Sequence, residues 1–262
     1  MKLKIYQIDA FTNHVFGGNP AAVCLLDEWL ATDLMQKIAQ ENNLAETAFI
    51  VQKNSVFELR WFTPEIEVDL CGHATLAAAY VIFNHHGYTE KTIRFYSSRS
   101  GELLVSQSVS GLMTMDFPAD ELVVLQGNTE INKAIGLTPQ RTIKGKTDYL
   151  LIYNSQEEVE EITPNFHLLD QLDCRGVIVS APGKRVDFVS RFFAPQCGIP
   201  EDPVTGSAHT TMIPYWSKVL GKTKLTAKQL SKRGGDLQCE YLGARVKISG
   251  RAVPYLIGEI NL

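Results

Sequence analysis

Two glycines in this chain are each followed at once by a residue that can hydrogen-bond or exchange a proton: Gly72-His73 and Gly206-Ser207. Glycine lets a ligand come close to the backbone. Both pairs open runs that read as helices, and the first N–H groups of a helix have no internal partner. With the helix dipole added, each start is a ready site for a small anion. A lone glycine in such a place serves equally well to make a sharp strand-to-helix turn. Two of them at matching positions shift the balance toward ligand binding. Three further groups stand near these pairs in sequence or by register, namely Glu46 ahead of an apolar strand, Cys71 beside Gly72, and Asp202 in an acidic loop. Taken singly, each has an ordinary structural reading. Glu46 can be a solvated loop acid, His73 a helix-start residue bonded to backbone, Asp202 a loop carboxylate before Pro203, Ser207 a cap, and Cys71 a buried structural thiol.

The matching positions come from an internal repeat. RFFAPQCGIPEDPVTGSAHTTMIPYWSKVLG at 191–221 follows the plan of RWFTPEIEVDLCGHATLAAAYVIFNHHG at 60–87. Each copy is an aromatic strand-like run stopped by proline, then an acidic loop, a glycine, and a helix ending in glycine. The front anchors Arg60 and Arg191 lie 131 residues apart, and Gly72 and Gly206 lie 134 apart. Half of 262 is 131, so the chain reads as a duplication with three extra residues in the second loop. A pseudo-twofold relation is expected to bring both helix starts to one cleft, where a small carboxylate is held from two sides. The chemical groups are nonetheless unequal. His73 is matched by Ser207, Cys71 by Asp202, and Glu46, at an offset of 131, by Val177. Inequality of this kind is expected where one side moves a proton and the other holds the substrate.

The elements that must position these groups follow from periodicity and punctuation. Strands are expected at 5–10, 21–26, 47–51 and 56–62, with a helix at 32–41 capped by Thr32. The run 73–86 is apolar nearly all round, so it must be covered on every side, and a sheet curled around a central helix is the natural packing. Strands at 91–95, 102–107 and 112–117 complete a first lobe, 1–117. The second lobe, 118–262, repeats the plan. It has a helix begun by Thr163-Pro164, strands at 176–180 and 187–193, and a central helix 207–220 with an expected kink at Pro214. The basic stretch Lys218–Arg233 reads as a solvated helix face, and His85 and His86 as residues that favour a helix end when protonated. A last strand, 253–260, can cross back to the first lobe. The fold class expected is therefore α+β, two pseudo-symmetric lobes, each a barrel-like, mostly antiparallel sheet around a central helix.

Composition narrows the function. Hydrophobic residues make up 45% and charged residues 21%, ordinary for a soluble globular chain. A net charge of −4 gives no basic face for nucleic acid. No apolar run approaches the roughly 20 residues that span a bilayer, so no membrane partner is expected. The start MKLKIYQID lacks the apolar core of a signal peptide. Five scattered cysteines suit a reducing cytoplasm and match no zinc spacing signature, so no metal is expected.

At DAFTNHVFGGNPAAV (9–23), ENNLAETAFI (41–50), RWFTPEIEVDLCGHATLAAA (60–79) and EDPVTGSAH (201–209) the sequence resembles the PhzF family of phenazine-biosynthesis-type isomerases. The resemblance implies the diaminopimelate-epimerase-like fold, with the site between two lobes, and isomerisation by proton transfer without cofactor. It places the general acid/base on Glu46 and helper roles on His73, Asp202 and Ser207. Catalytic roles are thus expected of Glu46, His73 and Asp202, and substrate binding of Gly72, Gly206, Ser207 and Asn19. The expected partner is a small carboxylate-bearing substrate, in a cytoplasmic homodimer. Related epimerases use two opposed thiols; Cys71 matches one, but the opposing position here is Pro203, which has no base to offer. Two other readings stay open: a racemase using Cys71, and a ligand-binding protein on an inherited enzyme fold.

Overall fold

The structure, a computed structural model, describes every residue from Met1 to Leu262. It divides into two compact units: Met1–Asp116 with Ser249–Leu262, and Phe117–Ile248. In chain order the first unit runs β1 (Lys2–Ala10), β2 (Asn19–Leu26), α1 (Thr32–Asn42), β3 (Glu46–Lys53), β4 (Val56–Phe62), a short β5 (Glu67–Val68), α2 (Gly72–His85), β6 (Thr92–Ser97), β7 (Gly101–Gln107) and β8 (Met113–Pro118). The second runs β9 (Val123–Leu125), α3 (Thr129–Ile135), β10 (Arg141–Lys144), β11 (Asp148–Ile152), α4 (Gln156–Glu161), α5 (Phe166–Leu169), β12 (Gly176–Pro182), β13 (Phe188–Phe193), a 3₁₀ turn at Pro195–Cys197, α6 (Gly206–Leu220), β14 (Lys224–Gln229), β15 (Gly235–Tyr241) and β16 (Arg245–Gly250). The final strand, β17 (Ala252–Asn261), pairs antiparallel with β1 and so belongs to the first unit.

The pairing pattern of the first unit recurs in the second. Strands β2 and β3 pair parallel, β3 and β4 antiparallel, β4 and β6 parallel, and β6 and β7 antiparallel. In the same sequence β11 and β12 pair parallel, β12 and β13 antiparallel, β13 and β14 parallel, and β14 and β15 antiparallel. Register corrects one expectation. Thr47 opposes Phe62 and Val177 opposes Phe193. Phe62 and Phe193 are 131 apart but Thr47 and Val177 are 130 apart, so the counterpart of Glu46 is Gly176 rather than Val177.

Strands β2 and β3 are buried on both faces, as their unbroken apolar runs require. On one face α1 packs Met35, Ile38 and Ala39 against Ala22, Cys24, Phe49 and Val51. On the other lies α2, whose Ala74, Leu76, Ala77, Ala78, Ala79, Val81 and Ile82 are all wholly buried. Four alanines among these let the helix axis sit close to the sheet. In the second unit α3, α4 and α5 cover one face of the sheet through Ile131, Ile135, Val159 and Leu169, which pack against Leu151, Val177, Val179 and Phe193.

Several local expectations are corrected. The residue that caps α1 is Ala31, whose carbonyl takes the amides of Leu34 and Met35; the Thr32 hydroxyl instead accepts from Arg60 at 3.2 Å. No helix begins at Thr163-Pro164. The segment splits into α4, capped by the Ser155 hydroxyl, and the single turn α5, capped by Asn165, because both side chains reach backbone amides that Thr163 does not. Pro214 does not interrupt α6. It removes the amide that would bond the Thr210 carbonyl four residues back, and the Asp120 N–H takes that carbonyl at 3.2 Å. The basic stretch is no helix beyond Leu220. Gly221 caps α6 at φ 66°, and Lys224 and Lys228 lie on the exposed face of β14. His85 stacks on Tyr6 at 5.1 Å, and burial together with Lys4 lowers its pKa, which disfavours the cationic form that a dipole role needs.

Between β1 and β2 the chain turns through left-handed conformations at Phe11 (φ 63°), Phe16 (φ 71°) and Gly18 (φ 61°). The Phe16 amide is tied at 2.9 Å to the buried Asp9 carboxylate. A Cβ on Gly18 would lie 2.0 Å from the Ala10 carbonyl oxygen, so no other residue fits ahead of Asn19 without moving backbone. Gly18→Ala is accordingly expected to cost about 1–3 kcal/mol or more through overpacking and positive φ, read as a lower melting temperature at an unchanged far-ultraviolet spectrum.

Candidate active site

Strand β3 begins at Glu46 and helix α2 at Gly72, and parallel pairing of β2 with β3 sets Glu46 opposite Ala21, two residues from Asn19. These starts converge. The His73 Nε2 lies 2.9 Å from the Glu46 Oε2, with both side chains nearly buried. On the other side of the ring, Nδ1 lies 3.1 Å from the Asn19 side-chain amide and 3.5 Å from the Cys71 sulfur. Of the residues read from sequence, the structure therefore gathers Glu46, His73, Gly72, Asn19 and Cys71 into one cluster of the first unit. No side chain caps α2, since its N-cap residue is Cys71, so the amides at its start are not claimed by a capping group.

The electrostatics of this cluster follow from its burial. Desolvation alone would strip the proton from His73, but the adjoining Cys71 and Glu46 more than offset it, and the imidazole pKa stands well above its ordinary value. Cys71 is pushed up to about 11, by burial first and then by the Glu46 charge, so near neutrality it is a thiol. The charge that stabilises the imidazolium is then the Glu46 carboxylate. A doubly protonated ring donates from both nitrogens, which calls for the oxygen of the Asn19 amide toward Nδ1. His209, equally buried in α6, shows the opposite case. It has no acid beside it, its Nδ1–H donates to the Thr205 carbonyl at 2.8 Å, and burial lowers its pKa to about 4.

The second unit holds Asp202, Gly206 and Ser207 at the start of α6, again with no side-chain cap. Asp202 is buried, and its carboxylate accepts from the Thr205 hydroxyl at 2.5 Å. Gln229, wholly buried, fastens this loop by donating to the Asp202 carbonyl at 2.9 Å and accepting from the Thr205 amide at 2.9 Å. Ser207 accepts from Arg175 at 3.0 Å, and Arg175 forms a two-pronged ion pair with the buried Asp148. Sequence reasoning missed Arg175, Asp148 and Gln229. The signal for the first was available, since Arg175 directly precedes Gly176, the register counterpart of Glu46.

As to metals, Glu46, Cys71 and His73 offer three ligand atoms within 4.8 Å of one another. No helix is long and apolar enough to cross a membrane.

The α+β frame of two similar units, each with a buried helix whose start carries no side-chain cap, recurs among solved structures. A hydroxyproline epimerase from Agrobacterium vitis, only 6% identical, shares that fold with a TM-score of 0.62 over 99% of this chain and 92% of its own. The family follows directly. The phenazine biosynthesis-like (PhzC-PhzF) family model matches residues 8–258, so the chain belongs to that family, and it is an enzyme of isomerase type. An uncharacterized isomerase of Pseudomonas aeruginosa is 47% identical over 262 residues, with both chains covered completely. A PhzF-family crystal structure from Enterococcus faecalis is also 47% identical, with a TM-score of 0.97 and complete coverage of both chains.

The raised His73 pKa gives a direct test. Below about pH 6.5, the ordinary histidine value, His73 is charged whether folded or unfolded and its pairing contributes fully to stability; that contribution is lost as pH rises through the raised folded value. By NMR, His73 should remain doubly protonated at pH 7.5 while His209 stays neutral. In Glu46→Gln the His73 pKa should fall, because one of the two groups that hold its proton against burial is then gone.

Proposed function

We propose that the protein moves a proton within a small carboxylate-bearing substrate, with Glu46 as the general acid/base. The observation that carries this reading is the Glu46–His73 contact at 2.9 Å, nearly buried, at the uncapped start of α2. As base, the Glu46 carboxylate takes a proton from a substrate carbon, and negative charge passes from the carboxylate to the substrate. The adjacent imidazolium of His73 faces that charge throughout and stabilises the enolate-like state that forms. The neutral Glu46 acid then returns a proton to another carbon. Asn19 orients the His73 ring from its far side. Amides at Gly72 and His73 suit a substrate carboxylate. We assign Asp202 a helper role in proton movement, and Gly206 and Ser207 to binding polar groups of a substrate; the support is the burial of Asp202 and Gly206 and the uncapped start of α6.

A thiol-based racemase is disfavoured by the environment of Cys71. Its pKa is pushed up to about 11, so almost no thiolate exists near neutrality, and Pro203 at the opposing duplicated position supplies no second base.

The deciding measurement is solvent-deuterium incorporation across a screen of cyclic and amino carboxylates. On a substrate so found, Glu46→Gln should fold and bind yet lose about 10²–10⁴-fold in exchange rate, the usual worth of a positioned acid/base, with the defect in kcat rather than KM. Near wild-type exchange in that variant would move the search for the proton carrier to Asp202. Cys71→Ser should keep most turnover; a loss of a thousandfold or more with the fold intact would restore the thiol mechanism.

A further inference from the structure

The cluster around α2 has a second chemical capacity that proton transfer does not use. Cys71 presents sulfur to the same imidazole that Glu46 contacts, and the three residues come from two places far apart in sequence, the start of β3 and the start of α2. We propose that Glu46, Cys71 and His73 form a binding site for a thiophilic divalent cation of the zinc type, alternative to the proton-transfer state of the site.

The geometry favours this. The His73 Nε2 is 2.9 Å from the Glu46 oxygen and 3.9 Å from the Cys71 sulfur. Zinc bonds of about 2.0–2.3 Å in a tetrahedral arrangement set ligand atoms about 3.3–3.6 Å apart. The nitrogen and oxygen therefore need to part by a few tenths of an ångström; the sulfur, 3.5 Å from Nδ1, must close on Nε2 by about as much and also draw toward the Glu46 oxygen, within 4.8 Å. Coordination through Nε2 leaves Nδ1–H facing the Asn19 amide at 3.1 Å, the outer hydrogen bond that metal-bound histidines almost always make. Thiolate, imidazole and carboxylate together are a borderline-soft set that suits zinc or cobalt over magnesium or calcium. With three protein ligands the fourth position is left for water. Loading is charge-neutral: the cation takes the place of the thiol proton and the imidazole proton, both of which pass to solvent. The site is nearly dry, with Cys71 at 6% and His73 at 5% exposure, so a coordinated ion is shielded from competing water. A cation held here engages the Glu46 carboxylate and leaves it unable to accept a proton.

Cobalt(II) reports directly on thiolate coordination and needs no substrate. Reduced, chelator-treated protein is titrated with Co²⁺ at fixed pH, and then with Zn²⁺. The expected result is one equivalent of Co²⁺ with a sulfur-to-cobalt charge-transfer band in the near ultraviolet, displaced by one equivalent of Zn²⁺. Cys71→Ser should lose that band, and Glu46→Gln, close in shape and size, should retain it with weakened affinity. Asn19→Ala should weaken affinity about 10–100-fold through the outer hydrogen bond. A Cys174→Ser/Cys197→Ser background removes the more accessible thiols and should leave the band in place. No charge-transfer band in the wild type, or a band that survives Cys71→Ser and disappears in the Cys174/Cys197 background, would overturn the assignment. So would unchanged affinity in Glu46→Gln, which keeps the test sharp even if the serine variant folds poorly.

Discussion

A helix without a polar face must be covered on all sides, and α2 is such a helix. Its seven wholly buried apolar residues cannot meet water, so the strands of the first unit close over it, and β2 and β3 become two-sided because α1 must cover their outer face. The arrangement sets where chemistry can occur. The only part of a fully enclosed helix that still presents polar groups is its end, and at its start the amides and His73 meet Glu46, the first residue of β3. The position of the cluster is thus a consequence of burying the helix, since parallel pairing of β2 and β3 fixes Glu46 beside Asn19 at the same end.

That enclosure also explains the energetics of the cluster. A solvated Glu–His pair is worth little, whereas a nearly buried one must be paired or be lost. Here the carboxylate holds the proton on His73 against desolvation, and Asn19 fixes the ring from the other side. The contrast with His209 isolates the cause. Both histidines are buried in central helices of duplicated units, yet only the one with Cys71 and a carboxylate beside it keeps its charge.

Much of this was legible in the sequence. The repeat, the two helix starts, the apolar run of α2 and the unmatched acid Glu46 all follow from residue type and spacing, because strand and helix periods leave direct marks. What escaped was long-range or conformational. The duplication offset slips by one residue between β3 and β12, and sequence alone cannot see register, so Val177 stood in for Gly176. Thr163 and Asn165 are both competent caps, and only the path of the chain decides that Asn165 reaches the Leu168 amide. The cluster proposed to bind zinc carried no spacing signature because Glu46 stands in β3, far along the chain from Cys71 and His73 at the start of α2. Arg175 drew no notice in the sequence, because its partners Asp148 and Ser207 lie 27 and 32 residues away along the chain.

The two helix starts differ in the groups that flank them. At the start of α2 the flanking pair is Glu46 with His73, a carboxylate beside an imidazole that holds its proton. At the start of α6 the corresponding place is taken by Arg175, tied to Asp148 and bonded to Ser207. A guanidinium never gives up its proton in a protein, so it can orient a hydroxyl or face an anion but cannot serve as base. Asp202, the nearest acid, has its carboxylate engaged by the Thr205 hydroxyl in a loop locked by Gln229. The two units thus share the frame and an uncapped helix start, while one holds a carboxylate beside an imidazole and the other a fixed cation. A racemase that inverts a centre with two matched bases needs like groups at both starts. Here the groups at the two starts are unlike.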